Sequence, residues 1–262
     1  MKYSVVVVPY HNDLYFKNFL FTAMNQDFKG KYEVIVVDNG TPNSGIFDAC
    51  YNYSYVADNQ SLCYMRIDPS EKKATNPTQG VNMGAREGVG EYLVVVADSN
   101  VLLSYNLLSE IDRIIKPNIF FTSSKCDVKI SPEGTKESEY VELENKWEIN
   151  CKLLRRLGWP KDPRLFNLDL VRHRYPPPHN KYDVYVFGMN RIKWIADGGY
   201  DETDNKWGLF HENTLMKFCR KYEWKILTNT RIVHQYHGLH KGKETGPGKY
   251  SKQFEVMRCR RT

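Results

Sequence analysis

Three short, largely apolar runs stand out in the first hundred positions, at 4–8, 33–37 and 92–97, each rich in β-branched side chains and each followed by small polar residues. Residues 14–26 between the first two runs carry a helical pattern, and a second helical segment, 79–88, precedes the third. Strand, helix and strand in that order predict a parallel pair. Parallel strands covered by helices on both faces read as unbroken apolar blocks with no polar alternation. The first half is thus expected to be an open α/β sheet, whose ligands sit beyond the carboxyl ends of the strands. That rule singles out positions 9–12, 38–41 and 98–100.

Further along, the pattern predicts a helix over 107–115, an apolar run at 119–122, a helix over 141–157, a strand at 184–189, a helix over 212–222 and a last strand at 225–233. A charged, turn-rich stretch fills 125–139. Residues 159–180 carry Pro160, Pro163, Pro176, Pro177 and Pro178 among aromatics, which suits an ordered loop over a cleft better than a linker, so no domain boundary is expected there. The run 238–252 is rich in Gly and Lys and reads as a mobile tail with Gly242, Gly246 and Gly248 as hinge positions.

Composition narrows the class. The chain has 262 residues, 41% of them hydrophobic, enough to bury one sizeable core. No apolar run approaches the ~20 residues that cross a bilayer, and no cleavage-site pattern follows the opening strand. A cytoplasmic protein is expected. Six cysteines are scattered singly without a C-x-x-C pair, which argues against a zinc site or a disulfide framework. The formal charge of +6, with Arg258, Arg260 and Arg261 near the end, suits either a solvated surface or an anionic partner.

The candidate chemistry follows the strand ends. Asp98-Ser99-Asn100 is a turn signal by composition, yet after a buried strand it offers two oxygens at i and i+2 to a hard cation such as Mg²⁺ or Mn²⁺, which would bridge to a diphosphate. Asp38-Asn39-Gly40-Thr41 is likewise a turn; at a strand end its carboxylate could accept from the N3–H of uracil or from a ribose hydroxyl. Asp197-Gly198-Gly199-Tyr200-Asp201-Glu202, followed by Trp207-Gly208-Leu209-Phe210-His211-Glu212-Asn213, puts an acid at a helix start after a glycine-rich, aromatic loop. Glu212 there is either a helix-dipole carboxylate or a general base beside a sugar hydroxyl, with Trp207 as a stacking platform. His234 and His237 close the last strand and could reach the same cation as Asp98.

In their order along the chain these segments resemble the family 2 glycosyltransferases with a GT-A fold, over nearly the whole length. Val5-Val6-Val7-Val8-Pro9-Tyr10-His11-Asn12 is similar to that family's first strand and donor loop, and Glu33-Val34-Ile35-Val36-Val37-Asp38-Asn39-Gly40-Thr41 to its E-I-I-V-V-D-D-G-S segment. Asn82-Met83-Gly84 with Gly90-Glu91-Tyr92-Leu93 looks like R-N-x-G…G-E-Y-I, and Asp98-Ser99-Asn100 falls at the D-x-D motif. His211-Glu212-Asn213-Thr214-Leu215 through Ile226 resembles E-D-x-D-L…G-Y-x-I, and 226–234 resembles the strand ending in a metal-binding His of galactosyl- and N-acetylgalactosaminyl-type members. Three departures stand out: Asn100 replaces the second Asp, Val81 stands where Arg is usual, and Glu212 stands for Asp at the base position.

The resemblance implies an α/β, Rossmann-like GT-A fold with a mixed, mostly parallel sheet flanked by helices. It implies one domain over 1–262, with a nucleotide-binding half 1–105, an acceptor-binding half 106–237 and a basic tail 238–262. The activity implied is inverting transfer of a sugar from a nucleotide diphosphate, a UDP-sugar, to the hydroxyl of a glycan, lipid-linked or polymer acceptor. Glu212 would be the catalytic base. Pro9, Tyr10, His11, Asn12, Asp38, Asn82, Asp98 and Ser99 would bind the donor, and Gly199, Tyr200, Trp207, Gly208 and His211 the acceptor. Mn²⁺ or Mg²⁺ would sit on Asp98, Asn100 and His234, with His237 the second choice. Three other readings stay open: a sugar-nucleotide or glycan-binding protein without turnover, suggested by Asn100; a retaining transferase; and a transferase whose basic tail, with Lys241, Lys243 and Lys249, meets a membrane surface or a polyanionic acceptor such as modified DNA or a teichoic-acid-like polymer.

Overall fold

The computed structural model describes residues 1–10, 13–40, 45–53, 57–73, 76–123, 184–203, 209–230 and 232–234. In chain order the elements are β1 (Tyr3–Val7), α1 (Asp13–Met24), β2 (Tyr32–Asp38), α2 (Ile46–Tyr51), β3 (Gln60–Arg66), α3 (Thr78–Glu87), β4 (Tyr92–Val96) and β5 (Val101–Leu103). They continue with α4 (Leu107–Ile114), β6 (Ile119–Ser123), β7 (Val186–Asn190), α5 (Arg191–Ala196), α6 (Leu209–Lys221), β8 (Glu223–Leu227) and β9 (Ile232–His234). Seven strands form one sheet in the order β3-β2-β1-β4-β7-β6-β8, and β5 pairs with β9 in a second, two-stranded sheet. Within the large sheet only β7 runs against its neighbours, so the sheet is mixed and mostly parallel.

The unbroken apolar runs have the expected cause. Along each central strand alternate side chains serve opposite faces: Val5, Val7, Val34, Val36, Val94 and Val96 pack with Phe16, Phe19 and Leu20 of α1 and Leu107 and Ile111 of α4. Val6, Ile35, Val37 and Val95 pack with Val81 of α3, Trp194 of α5 and Phe218 of α6. Both faces are covered, so the strands do not alternate apolar with polar; polar side chains within them, such as Ser4 and Glu33, are buried and bonded to each other. Gly80 and Gly84, one turn apart on α3, let that helix lie against β1: a Cβ on either would come within 2.6 Å of Val8 or Val6. Buried Glu33 accepts from Ser4 Oγ (2.6 Å) and from the amides of Val89 (2.7 Å) and Gly90 (3.1 Å), which fixes the turn from α3 into β4.

Several expectations need correction. The third apolar run is the fourth strand, because β3, a half-buried edge strand, lies between. The strand expected over 225–233 is two strands in two sheets. The polar break Thr228-Asn229-Thr230 separates them, with Asn229 Nδ2 donating to Glu110 Oε2 (3.2 Å) and Asn229 O accepting from Asn106 Nδ2 (3.3 Å). The short α2, β5 and α5 were not anticipated. The helix over 141–157, the proline-rich segment 159–180 and the tail 238–262 lie outside the described residues.

Candidate functional site

The carboxyl ends of three neighbouring strands, β2, β1 and β4, carry the first candidates. Val7 pairs with Val36 on one side and Val96 on the other; β1 and β4 stop at that row, whereas β2 runs two residues further to Asp38, and Asp98 follows β4 by two residues. β2 and β4 are two strand spacings apart, about 10 Å.

At the β2 end, Asn39 N donates to Pro9 O (3.1 Å) and Ile67 N to Asp38 O (2.9 Å), and Gly40 turns the chain with φ 70°. Asp38 is 1% exposed, and Tyr64 Oη donates to its Oδ2 at 3.1 Å. Burial pushes the Tyr64 hydroxyl up to about 12, and the Asp38 charge adds to this, so the phenol stays a donor. Lys72 Nζ donates to Asn39 O (2.9 Å) and stands 4.3 Å from the centroid of the Tyr10 ring. Burial lowers the Lys72 ammonium from its ordinary range and Asp38 opposes that shift. Asn39 Oδ1 is a buried acceptor with no hydrogen-bond partner among the described residues. Sequence reasoning missed Tyr64 and Lys72; recognising β3 as the neighbour of β2 would have placed Tyr64 opposite Val36.

At the β4 end, Asp98 is half-buried and its Oδ1 accepts from Asn100 N at 2.8 Å, while Ser99 and Asn100 are buried. Asn100 Oδ1 is the second buried acceptor without a partner among the described residues. β5 follows at once and is held from α1: Leu103 N donates to Thr22 Oγ1 (3.2 Å), and Gln26 spans Ser104 O (3.0 Å) and Leu108 N (3.1 Å). β9 lies antiparallel to β5 with His234 opposite Val101, so the chain brings His234 next to Asn100; its side chain lies outside the described residues. Among the described residues no three His, Cys, Asp or Glu stand together as a metal cluster. A carboxylate beside an unpartnered amide oxygen nevertheless suits a hard cation.

On the third side, the loop after α5 passes from Gly198 (φ 80°) and Gly199 (φ 52°) into Tyr200. Asn82 of α3 grips that residue's backbone: its Oδ1 accepts from Tyr200 N (3.0 Å) and its Nδ2 donates to Tyr200 O (2.8 Å). Nδ2 also donates to Glu202 Oε1 (3.0 Å), so the Asn82 amide is engaged by this loop. Glu202 further meets Lys73 (3.3 Å) and Arg86 (3.5 Å). Burial works against its ionisation, but the bonds from Asn82 and Lys73 and the two cations hold its carboxyl below the usual range. Asp201 Oδ1 accepts from Thr203 N and Oγ1, which lowers its carboxyl likewise. A groove of about 440 Å³ opens on the outer side of this loop, lined by Arg86, Trp194, Ile195 and Lys217 among others.

Tyr200 and His211, both expected beside an acceptor, are buried and half-buried respectively. Tyr200 is 3% exposed and its Oη meets His211 Nδ1 at 2.7 Å. Glu212 lies in the first turn of α6, which begins at Leu209, three residues before the start expected from the sequence; its side chain lies outside the described residues. His11, Asn12, Trp207, Gly208 and His237 lie outside them as well.

No protein-family model matches this chain, and no curated protein sequence does. Solved structures do match. S. aureus TarS 1–349 in complex with UDP is 16% identical with a TM-score of 0.55, over 88% of this chain and 59% of that one. The mannosyltransferase PcManGT from Pyrobaculum calidifontis, in complex with GDP-Man and Mn²⁺, is 14% identical with a TM-score of 0.58, over 98% of this chain and 60% of that one. GalNAc-T7 with UDP, GalNAc and Mn²⁺ is 13% identical with a TM-score of 0.56, over 90% of this chain and 44% of that one. The chain spans about three fifths of the first two and less than half of the third. At such identities the likeness is one of architecture, and with the strand order described above it gives this chain the GT-A fold.

Proposed function

We propose that the chain transfers a sugar from a nucleotide diphosphate, a UDP-sugar, to an acceptor hydroxyl with inversion at the anomeric carbon. The observation that supports this reading is the shared carboxyl edge of β2, β1 and β4. We assign Asp38 there to the base and Asp98 to the diphosphate; their strands run about 10 Å apart, and each is followed by a buried amide oxygen with no partner among the described residues, Asn39 and Asn100. A nucleoside diphosphate laid across the three strand ends meets both. Tyr64 orients Asp38 toward the base, and Lys72 and Tyr10 close the same end. Asp98, Asn100 and His234 are the residues that would hold Mn²⁺ or Mg²⁺, which when bound supplies positive charge against the departing diphosphate. Glu212, at the start of α6, takes the acceptor proton, since a single in-line displacement needs one base on the acceptor side. Residues 1–105 serve the donor and 106–237 the acceptor.

The test is nucleotide release from UDP-glucose, UDP-galactose, UDP-GlcNAc, UDP-GalNAc and GDP-mannose, with Mn²⁺ and with EDTA. Release from a UDP-sugar, suppressed by EDTA and restored by Mn²⁺, is the expected result. Full turnover in chelator removes the metal from the reading. Tight binding of a sugar nucleotide with no release under any condition favours the second reading, a binding protein without turnover, for which Asn100 in place of a second carboxylate is the supporting feature.

Base selection is tested separately by calorimetry. UDP should bind more tightly than GDP or ADP by about 1–3 kcal/mol, the cost of leaving a buried polar group unpaired. Asp38→Ala should abolish the difference. Equal affinities in the unaltered protein would overturn the assignment of Asp38.

A further inference from the structure

We infer that His211 is a positioning residue: bonded to both Tyr200 and the carbonyl of Val184, it locks the first turn of α6 against the 197–203 loop and so fixes the backbone from which Glu212 acts. The inference rests on the reading of Glu212 as the base. His211 Nε2 lies 2.9 Å from Val184 O, and a carbonyl only accepts, so Nε2 carries the proton; Nδ1 is then a lone pair and accepts from Tyr200 Oη at 2.7 Å. The half-buried imidazole stands edge-on to Phe187, with ring centroids 5.1 Å apart. Burial pushes its pKa down to about 4, against the raising effect of the Val184 bond, so at neutral pH the ring is uncharged and both bonds persist.

The bonding continues beyond the imidazole. Asn82 holds the backbone of Tyr200 on both sides, so an unbroken series runs from α3 through Tyr200 and His211 to Val184 at the entry of β7. Helix ends fray because their first amides lack intrahelical acceptors. A side chain anchored on the inward face of the first turn opposes that fraying. It also sets the rotation of the helix about its axis, and the next residue departs about 100° further round. None of these bonds touches Asp38, Lys72 or Asp98. The clamp should therefore govern turnover and leave donor affinity alone.

Three variants test this. His211→Phe keeps a ring against Phe187 and loses both bonds, Tyr200→Phe loses one hydroxyl, and His211→Gln keeps a donor and an acceptor. With the UDP-sugar that is turned over, His211→Phe and Tyr200→Phe should each lower kcat by about 10- to 100-fold, the effect of a catalytic group displaced by about 1 Å, with donor KM within about twofold of the unaltered protein. The double variant should be no worse than the poorer single one, because the two changes break one contact. His211→Gln should recover most of the loss. Unchanged kcat in a folded His211→Phe protein, additive losses, a loss confined to donor KM, or no recovery with Gln would each overturn the inference. If His211→Phe does not fold, Tyr200→Phe carries the comparison. Amide exchange over residues 209–215 decides the clamp independently of turnover: faster exchange there in Tyr200→Phe, with β1, β2 and β4 unaffected, supports it, and unaltered exchange overturns it. Wild-type turnover in Glu212→Gln would sink the base reading alone, leaving the clamp to be judged by exchange.

Discussion

Glu212→Gln should lower turnover by roughly 10²–10⁴-fold, the usual contribution of general-base catalysis, while UDP affinity stays unchanged. Glutamine matches glutamate in size and hydrogen-bonding reach but takes no proton. Position 212 lies in the first turn of α6 and is proposed to meet the acceptor hydroxyl, so the substitution should be felt in turnover and not in UDP binding. The nearby acids are poor substitutes: Asp201 is capped by Thr203, and Glu202 is bound by Asn82, Lys73 and Arg86. Steady-state rates with titration calorimetry of UDP provide the check. Near-normal turnover, or a loss that follows UDP affinity, would remove Glu212 from the acceptor side.

A second large effect is structural. Gly188→Ala should destabilise the protein by about 3 kcal/mol, the upper end for overpacking a filled site, and lower the melting temperature by roughly 10 °C. Gly188 sits mid-strand in β7, opposite Val94 on one side and Phe121 on the other. A Cβ there would lie 2.0 Å from Leu93 O and 2.7 Å from Phe121 Cζ. A side chain could rotate away, but a backbone carbonyl in the middle of a sheet cannot. Gly198 offers a contrast, since a Cβ there meets nothing within 4 Å and only its φ of 80° resists substitution; the cost should be nearer 1 kcal/mol. A scanning-calorimetry melt unchanged in Gly188→Ala would contradict the placement of β7 between β4 and β6.

The parts of this fold legible in the sequence are those whose burial is set locally. β1, β2 and β4 are covered on both faces, so their apolar runs announce themselves, and Asp38 and Asp98 follow from the rule about strand ends. β3 escaped notice because an edge strand such as Gln60–Arg66 is only half covered and carries a mixed pattern. The helical pattern of α6 was read with only its start displaced, whereas the inward role of His211 was not, because it depends on Tyr200 and Val184, which reach it from other segments. Likewise Asn82 was legible as part of a motif, but its grip on Tyr200 joins positions 118 residues apart that no local pattern relates.

The reversed strand has a consequence for the order in which the protein can be made. β7 lies between β4 and β6 yet is translated after both, with residues 124–185 intervening. Until it emerges from the ribosome, the wholly apolar Tyr92–Val96 segment offers an open row of amides and carbonyls to any other nascent chain. Bringing strands so far apart in sequence together, to insert one between two waiting ones, is a non-local, slow event. The vulnerable interval of this chain's synthesis therefore falls between the emergence of β4 and that of β7, and a chaperone shielding that strand would be needed then and not afterwards.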